Sequence, residues 1–155
     1  MSYRIIGLPA ERFDHLFALS NAELAKHGCV RRFADDRRPG YPCRISLTDA
    51  QPGDELLLLN YEHLCVESPY RMRFAIYVRK GERTYDRFDQ VPEQLRKRML
   101  AVRSFDGNGM MVECELVDGP VLEGAIDRLF ADPSAEYLHV HYAAPGCYAA
   151  RIERA

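Results

Sequence analysis

Asp106-Gly107-Asn108-Gly109 constrains the fold of this chain more than any other stretch. Asn and Gly accept the positive φ that tight hairpin turns need, and the runs on either side alternate apolar with polar residues. Met99–Phe105 and Met110–Val117 therefore read as the two arms of an antiparallel hairpin. On the second arm Met110, Val112, Cys114 and Leu116 share one face while Glu113 and Glu115 share the other, because strand side chains alternate sides. Burying the apolar set puts Cys114 in the core. Ala144-Pro145-Gly146 repeats the device, since Pro fixes φ and Gly tolerates the left-handed region. It joins a strand of about Glu136–Tyr142 to one of about Gly146–Ile152.

The remaining elements follow from shorter patterns. Ser2–Gly7 reads as a first strand, and Pro9 opens a helical segment with Phe13, Leu16 and Phe17 on one side. Ser20-Asn21-Ala22-Glu23 is a capping box, and the short helix behind it stops at Gly28. Arg31–Gly40 mixes both charge signs and reads as a solvated loop, with the alternative that Arg31 and Arg32 end a strand starting at Cys29; Tyr41–Leu47 alternates and reads as a strand. Glu55–Tyr61 is apolar up to Asn60, which suits a central strand buried on both faces. A loop from Glu62 to Tyr70 leads into a strand over Arg71–Lys80, and Pro92 starts a short helix to about Lys97. Val121, Leu122, Ala125, Ile126, Leu129 and Phe130 form the apolar stripe of the best helix, which Asp132-Pro133 ends. Consecutive strands joined by tight turns predict an α+β fold: one domain over residues 1–155, a mainly antiparallel sheet with a few helices packed on it.

Composition narrows the function classes. A chain of 155 residues suits one core, and its net charge of −2 speaks against nucleic-acid binding, which draws on a basic excess. No apolar run approaches the ~18 residues of a membrane span. The five cysteines are widely spaced, odd in number and without a C-x-x-C pair, so reduced thiols and a cytoplasmic setting are the expectation, not a zinc ribbon or a disulfide scaffold.

Chemistry-bearing residues concentrate in three places. Tyr137, His139 and His141 share a strand face, and Cys147 starts the returning strand beside them. Two same-face imidazoles supply metal ligands in many sites, with His63, Cys43 or Cys147 available as a third. A cysteine nucleophile needs a nearby base or cation; Cys147 with His139 as base, or Cys43, are the candidates. Arg44 and Arg71 sit in Tyr- and Pro-containing segments, where a guanidinium turned inward grips a carboxylate or phosphate. Arg103 reads as a solvent-face residue with its stem laid over the strand. Tyr61 and His63 flank the end of the presumed central strand; Tyr137, Tyr142 and Tyr148 read as apolar bulk with a wet hydroxyl.

Gly40–Leu47 (GYPCRISL), Leu56–His63 (LLLLNYEH), Ser68–Arg71 (SPYR) and His139–Ile152 (HVHYAAPGCYAARI) together resemble the bacterial family catalogued as domain of unknown function 1203. The resemblance covers nearly the whole chain. It implies a single-domain bacterial protein and no particular activity. The chain departs from the family pattern at Met72-Arg73-Phe74-Ala75, where small residues and Gly-Pro are expected, and at Tyr142, where Asn is expected.

Three readings remain in play. The first is a small-molecule binding domain whose pocket gathers Arg44, Tyr61, His63, Arg71 and His141 around an anionic ligand, with His139 alongside. The second is an enzyme using that pocket, with Cys147 or Cys43 as nucleophile, His139 as base, or a histidine-held metal. The third is an interaction module without catalysis. The residue pattern leaves cofactor, metal and oligomeric state open.

Overall fold

A computed structural model describes residues 1–155. Nine strands form two antiparallel sheets, and three short α-helices accompany them. β1 (Tyr3–Ile6), β5 (Asp86–Phe88), β6 (Met99–Phe105), β7 (Met111–Asp118), β8 (Tyr137–Tyr142) and β9 (Tyr148–Arg154) make a six-stranded sheet in the order β5-β1-β9-β8-β6-β7. β2 (Val30–Phe33), β3 (Glu55–Leu64) and β4 (Met72–Arg79) make the smaller sheet, with β3 in the middle. The expected α+β class holds; the expected single sheet is two. No helix is long and apolar enough to cross a membrane.

The larger sheet is covered on one face by α3 (Leu122–Leu129), preceded by a 3-10 turn at Gly119–Val121. Leu122, Ala125, Ile126 and Leu129 pack against Leu100 and Val102 of β6 and Leu138 and Val140 of β8. Each Leu, Ile or Val side chain fully removed from water contributes about 1.5–3 kcal/mol, so this layer is the main core. A second apolar cluster lies under the smaller sheet, where Leu57, Ile76 and Val78 meet Phe13, Phe17 and Leu24 from the N-terminal segment. Leu24 belongs to α1 (Asn21–Lys26). Ser20 Oγ accepts from Glu23 N at 3.1 Å and Glu23 Oε2 from Ser20 N at 2.7 Å, so the capping box forms as the sequence implies.

Several local expectations give way to tertiary contacts. The segment from Pro9 folds as two 3-10 turns, Ala10–Arg12 and Asp14–Ala18, not as a helix. Tyr41–Leu47 is not a strand: it makes only isolated bridges, Pro42 to Asp49 and Cys43 to Tyr77, and turns at Leu47 with φ 52°. Its residues alternate because they are wedged between the two sheets, with Cys43, Ile45 and Leu47 all buried. Glu62–Leu64 extends β3 instead of beginning a loop.

On β7 the burial is the reverse of the expectation. Cys114 is exposed and Leu116 is 70% exposed, whereas Val117 is buried and Glu115 binds Arg128 of α3 at 2.6 Å. β7 is an edge strand, and α3 reaches only its glutamate-bearing side, so the charged side finds a partner and the apolar side finds none.

Candidate functional site

The β8–β9 hairpin supplies two different environments. On β8, Tyr137, His139 and His141 face the smaller sheet while Leu138, Val140 and Tyr142 face the α3 layer. On β9, the register shifts between the Val140–Ala150 and His141–Tyr148 pairs. One extra residue, Ala149, opposes nothing, and a bulge of this kind re-aims the side chains beyond it. It turns Tyr148 onto the histidine face.

The first environment is a nest of imidazoles. His63 of β3 stacks on Tyr148 at 5.0 Å with an interplanar angle of 11°, and its ring lies 5.2 Å from that of His141 and 6.1 Å from that of His139. His139 and His141 are buried at 2% and 1% exposure. Neither nitrogen of His63 has a hydrogen-bond partner, nor does Nδ1 of His139. His141 Nδ1 lies 3.0 Å from the Gly146 carbonyl, which makes Nδ1 the protonated nitrogen in the neutral ring. Burial is the main cause that holds all these rings neutral: it lowers His63 to about 4 and His141 to about 3, and drives His139 well below its usual value. The charge of Arg103 adds to the effect on His63 and His141. The three rings meet, yet no group of three His, Cys, Asp or Glu residues is arranged to hold a metal ion.

The second environment lies on the other face of the same hairpin, at its turn. A cavity of about 530 Å³ is walled by Tyr41 and Arg44 from the segment before β3, Leu58 and Tyr77 from β3 and β4, and Tyr142 and Cys147 from the hairpin turn. The size falls in the range of small-molecule sites. Arg44 is 1% exposed. Its Nε donates to the Tyr148 carbonyl at 2.8 Å, one terminal nitrogen to the Pro42 carbonyl at 2.6 Å, and the other to Cys147 Sγ at 2.9 Å. No carboxylate lies within ion-pair distance of it.

Tyr142 forms the floor beside it. The guanidinium carbons of Arg44 and Arg98 both lie 5.0 Å from the Tyr142 ring centroid, an attractive arrangement for a cation near an aromatic face. The Tyr142 hydroxyl donates to Gln94 of α2 (Glu93–Arg96), and burial pushes that hydroxyl up from the usual phenol range. Arg98, unlike Arg44, is neutralised: Asp49 holds it at 3.0 Å, and it also donates to the Gly40 carbonyl at 2.8 Å.

The turn that carries Cys147 is pinned on both sides. Gly146 N donates to the Tyr142 carbonyl at 2.8 Å, Tyr142 N to the Cys147 carbonyl at 2.9 Å, and Gly146 takes φ +77°, a value that favours glycine. His141 grips the Gly146 carbonyl from the nest, so the two environments share one backbone.

The sequence candidates therefore separate. Arg44 and Cys147 meet in the cavity. His63, His139 and His141 meet in the nest, and none of them lines the cavity. Tyr61 packs on Phe13 and accepts a hydrogen bond from Arg12 at 2.5 Å. Arg71 is exposed and paired with Glu62 at 2.5 Å, away from Arg44. Cys43 is wholly buried and accepts from the Arg79 backbone at 3.3 Å. The partner of Cys147 is Arg44, not His139 as expected, because the bulge leaves Tyr148 on the histidine face and Cys147 on the cavity wall. Arg98, Gln94 and the rim residues Arg37, Pro39 and Gly40 escape the sequence reading. Arg98 and Gln94 bear no local pattern, and the rim lies in the stretch read as a solvated loop. Tyr142 is a floor residue, not mere bulk.

No curated protein and no solved structure matches this chain. A family model described as "Protein of unknown function (DUF1203)" matches residues 40–154, a stretch that contains Arg44, Tyr142, Cys147 and all three nest histidines. With most of its length matched, the chain belongs to that family.

Proposed function

We propose that this protein binds a small anionic molecule in the cavity, with Arg44 as the anion's seat. The observation that carries the reading is the charge state of the cavity wall. A buried guanidinium costs several kcal/mol unless an anion compensates it, and Arg44 has only two carbonyls, a sulphur and an aromatic face around it. A guanidinium has five N–H groups, and three of these are placed in hydrogen bonds. The others are available to a carboxylate or phosphate. Leu58, Tyr77 and Tyr41 would cover an apolar or aromatic body attached to that anionic group, the usual division of labour in a small-molecule site.

The test is thermal melting of the purified protein against a panel of small carboxylates and phosphate esters, each matched with its neutral amide or alcohol. Saturating ligand adds about 2.7 kcal/mol at a hundredfold excess over Kd, a shift of several degrees for a chain of this size. An anion should raise the melting temperature where its neutral counterpart does not, and Arg44→Gln should abolish the difference. Equal shifts by charged and neutral members, or no shift by any, would overturn the reading.

A further inference from the structure

We infer that Cys147 is a nucleophilic thiol, and that the electrophile it takes is a small disulfide carrying carboxylates. The inference rests on the anion-binding reading of the same cavity and names the chemistry of its occupant. Cys147 lies on the cavity wall at 7% exposure, and its sulphur receives one hydrogen bond, from Arg44 at 2.9 Å. The guanidinium sets a fixed positive charge against the sulphur, which draws in an anionic reagent. It has only donors, so it cannot take up a proton.

That limits the reactions available. Acyl or phosphoryl transfer through a cysteine needs a general base and a proton donor for the leaving group. No imidazole or carboxylate is hydrogen-bonded to the Cys147 sulphur, and the nest histidines do not line the cavity. Thiol–disulfide exchange needs neither, only a thiolate and a thiolate leaving group. Cys147 Sγ attacks one sulphur of the disulfide. The new S–S bond forms as the old one breaks, and the electron pair departs on the leaving thiolate. That thiolate takes up from solvent the proton that Cys147 released. No external oxidant is consumed, because one S–S bond is exchanged for another: the departing sulphur is reduced to a thiol as the Cys147 sulphur is oxidised into the mixed disulfide. The free N–H groups of Arg44 hold a carboxylate of the incoming molecule next to the sulphur it attacks.

The other thiols are internal controls. Cys29 and Cys43 are buried; Cys65 and Cys114 are exposed but do not line the cavity. The experiment incubates the full-length protein at neutral pH with three disulfides of different charge. These are oxidised glutathione (anionic), 2-hydroxyethyl disulfide (neutral) and cystamine (cationic). Peptide mass spectrometry gives the rate at each cysteine. Cys147 should react with the anionic disulfide about tenfold or more faster than with the cationic one, and reductant should reverse the adduct. Cys114 should show no such order, and Cys65 at most a weak one, because the Arg71 guanidinium 3.8 Å from its sulphur is already paired with Glu62. Arg44→Gln should remove the preference at Cys147; should that variant fail to fold, the charge order in the unaltered protein remains the deciding readout. A Cys147 slower than Cys65 and Cys114 with every disulfide, or one that favours the cationic reagent, overturns the inference. If small carboxylates still raise the melting temperature in that case, the binding reading stands and only the nucleophile is lost.

Discussion

The nest and the cavity lie on two faces of one hairpin, beside the same turn, and treat buried charge in opposite ways. In the nest, His63, His139 and His141 are titratable, and burial makes them neutral. In the cavity the buried group is a guanidinium, which stays charged at any pH a folded protein meets. The same desolvation therefore silences one cluster and leaves the other with an uncompensated positive charge. A pair of histidines two residues apart is the more conspicuous sequence feature, yet the place left with unmet electrostatic demand is Arg44.

The comparison breaks most directly under acid. His63, His139 and His141 have folded values below the unfolded value of about 6.5, so the unfolded chain binds more protons as pH falls. Stability is complete above about 6.5 and is lost progressively below it, down to the folded values of about 4 for His63 and about 3 for His141. Each of the two β8 histidines contributes a slope of ~1.4 kcal/mol per pH unit. Denaturant melts at pH 7 and pH 5 should differ by roughly 4–5 kcal/mol, and His139→Gln together with His141→Gln should flatten most of that difference. A pH-independent midpoint would mean that the rings are not held neutral.

Arg44 offers the next largest effect, and the opposite signature. Arg44→Met removes an unpaired charge but strands the Tyr148 and Pro42 carbonyls, and each buried group left without a partner costs about 1–3 kcal/mol. A net loss of about 2 kcal/mol is expected, no larger at pH 5 than at pH 7, because the Arg44 charge helps keep His141 neutral and its removal eases protonation of the folded state. A loss that grows on acidification would contradict that sign.

Gly146→Ala sharpens the link between the two. Its φ of +77° is strained for alanine although nothing crowds the added Cβ, so about 1 kcal/mol should be lost. Because Gly146 carries the carbonyl bound to His141 and adjoins Cys147, the variant should also slow the anionic disulfide at Cys147. Unchanged thiol kinetics would show that the two environments are independent. Ser20→Ala is the remote reference: it removes the α1 cap, should cost ~1 kcal/mol, and should leave pH dependence and thiol rates untouched.

Much of the fold was legible along the chain. The Asp-Gly-Asn-Gly turn, the Pro-Gly turn, the capping box and the α3 stripe are local devices whose chemistry works within a few residues. The candidate site was legible only in its members. Arg44 and Cys147 were singled out for separate reasons, and nothing local says that residues 103 positions apart touch. The Tyr41–Leu47 alternation misled because burial from two sides produces the same pattern as a strand. Cys114 misled because alternation marks two faces without saying which one an edge strand buries.

The sequence by itself determined the antiparallel hairpins and the class, because turn geometry and side-chain period are properties of neighbouring residues. Only the tertiary structure decided that His139 and Cys147 part company. A single unpaired residue, Ala149, shifts the register of β9, and a shift of one residue turns every later side chain to the opposite face. That choice depends on how two sheets pack, and no run of neighbouring residues contains it.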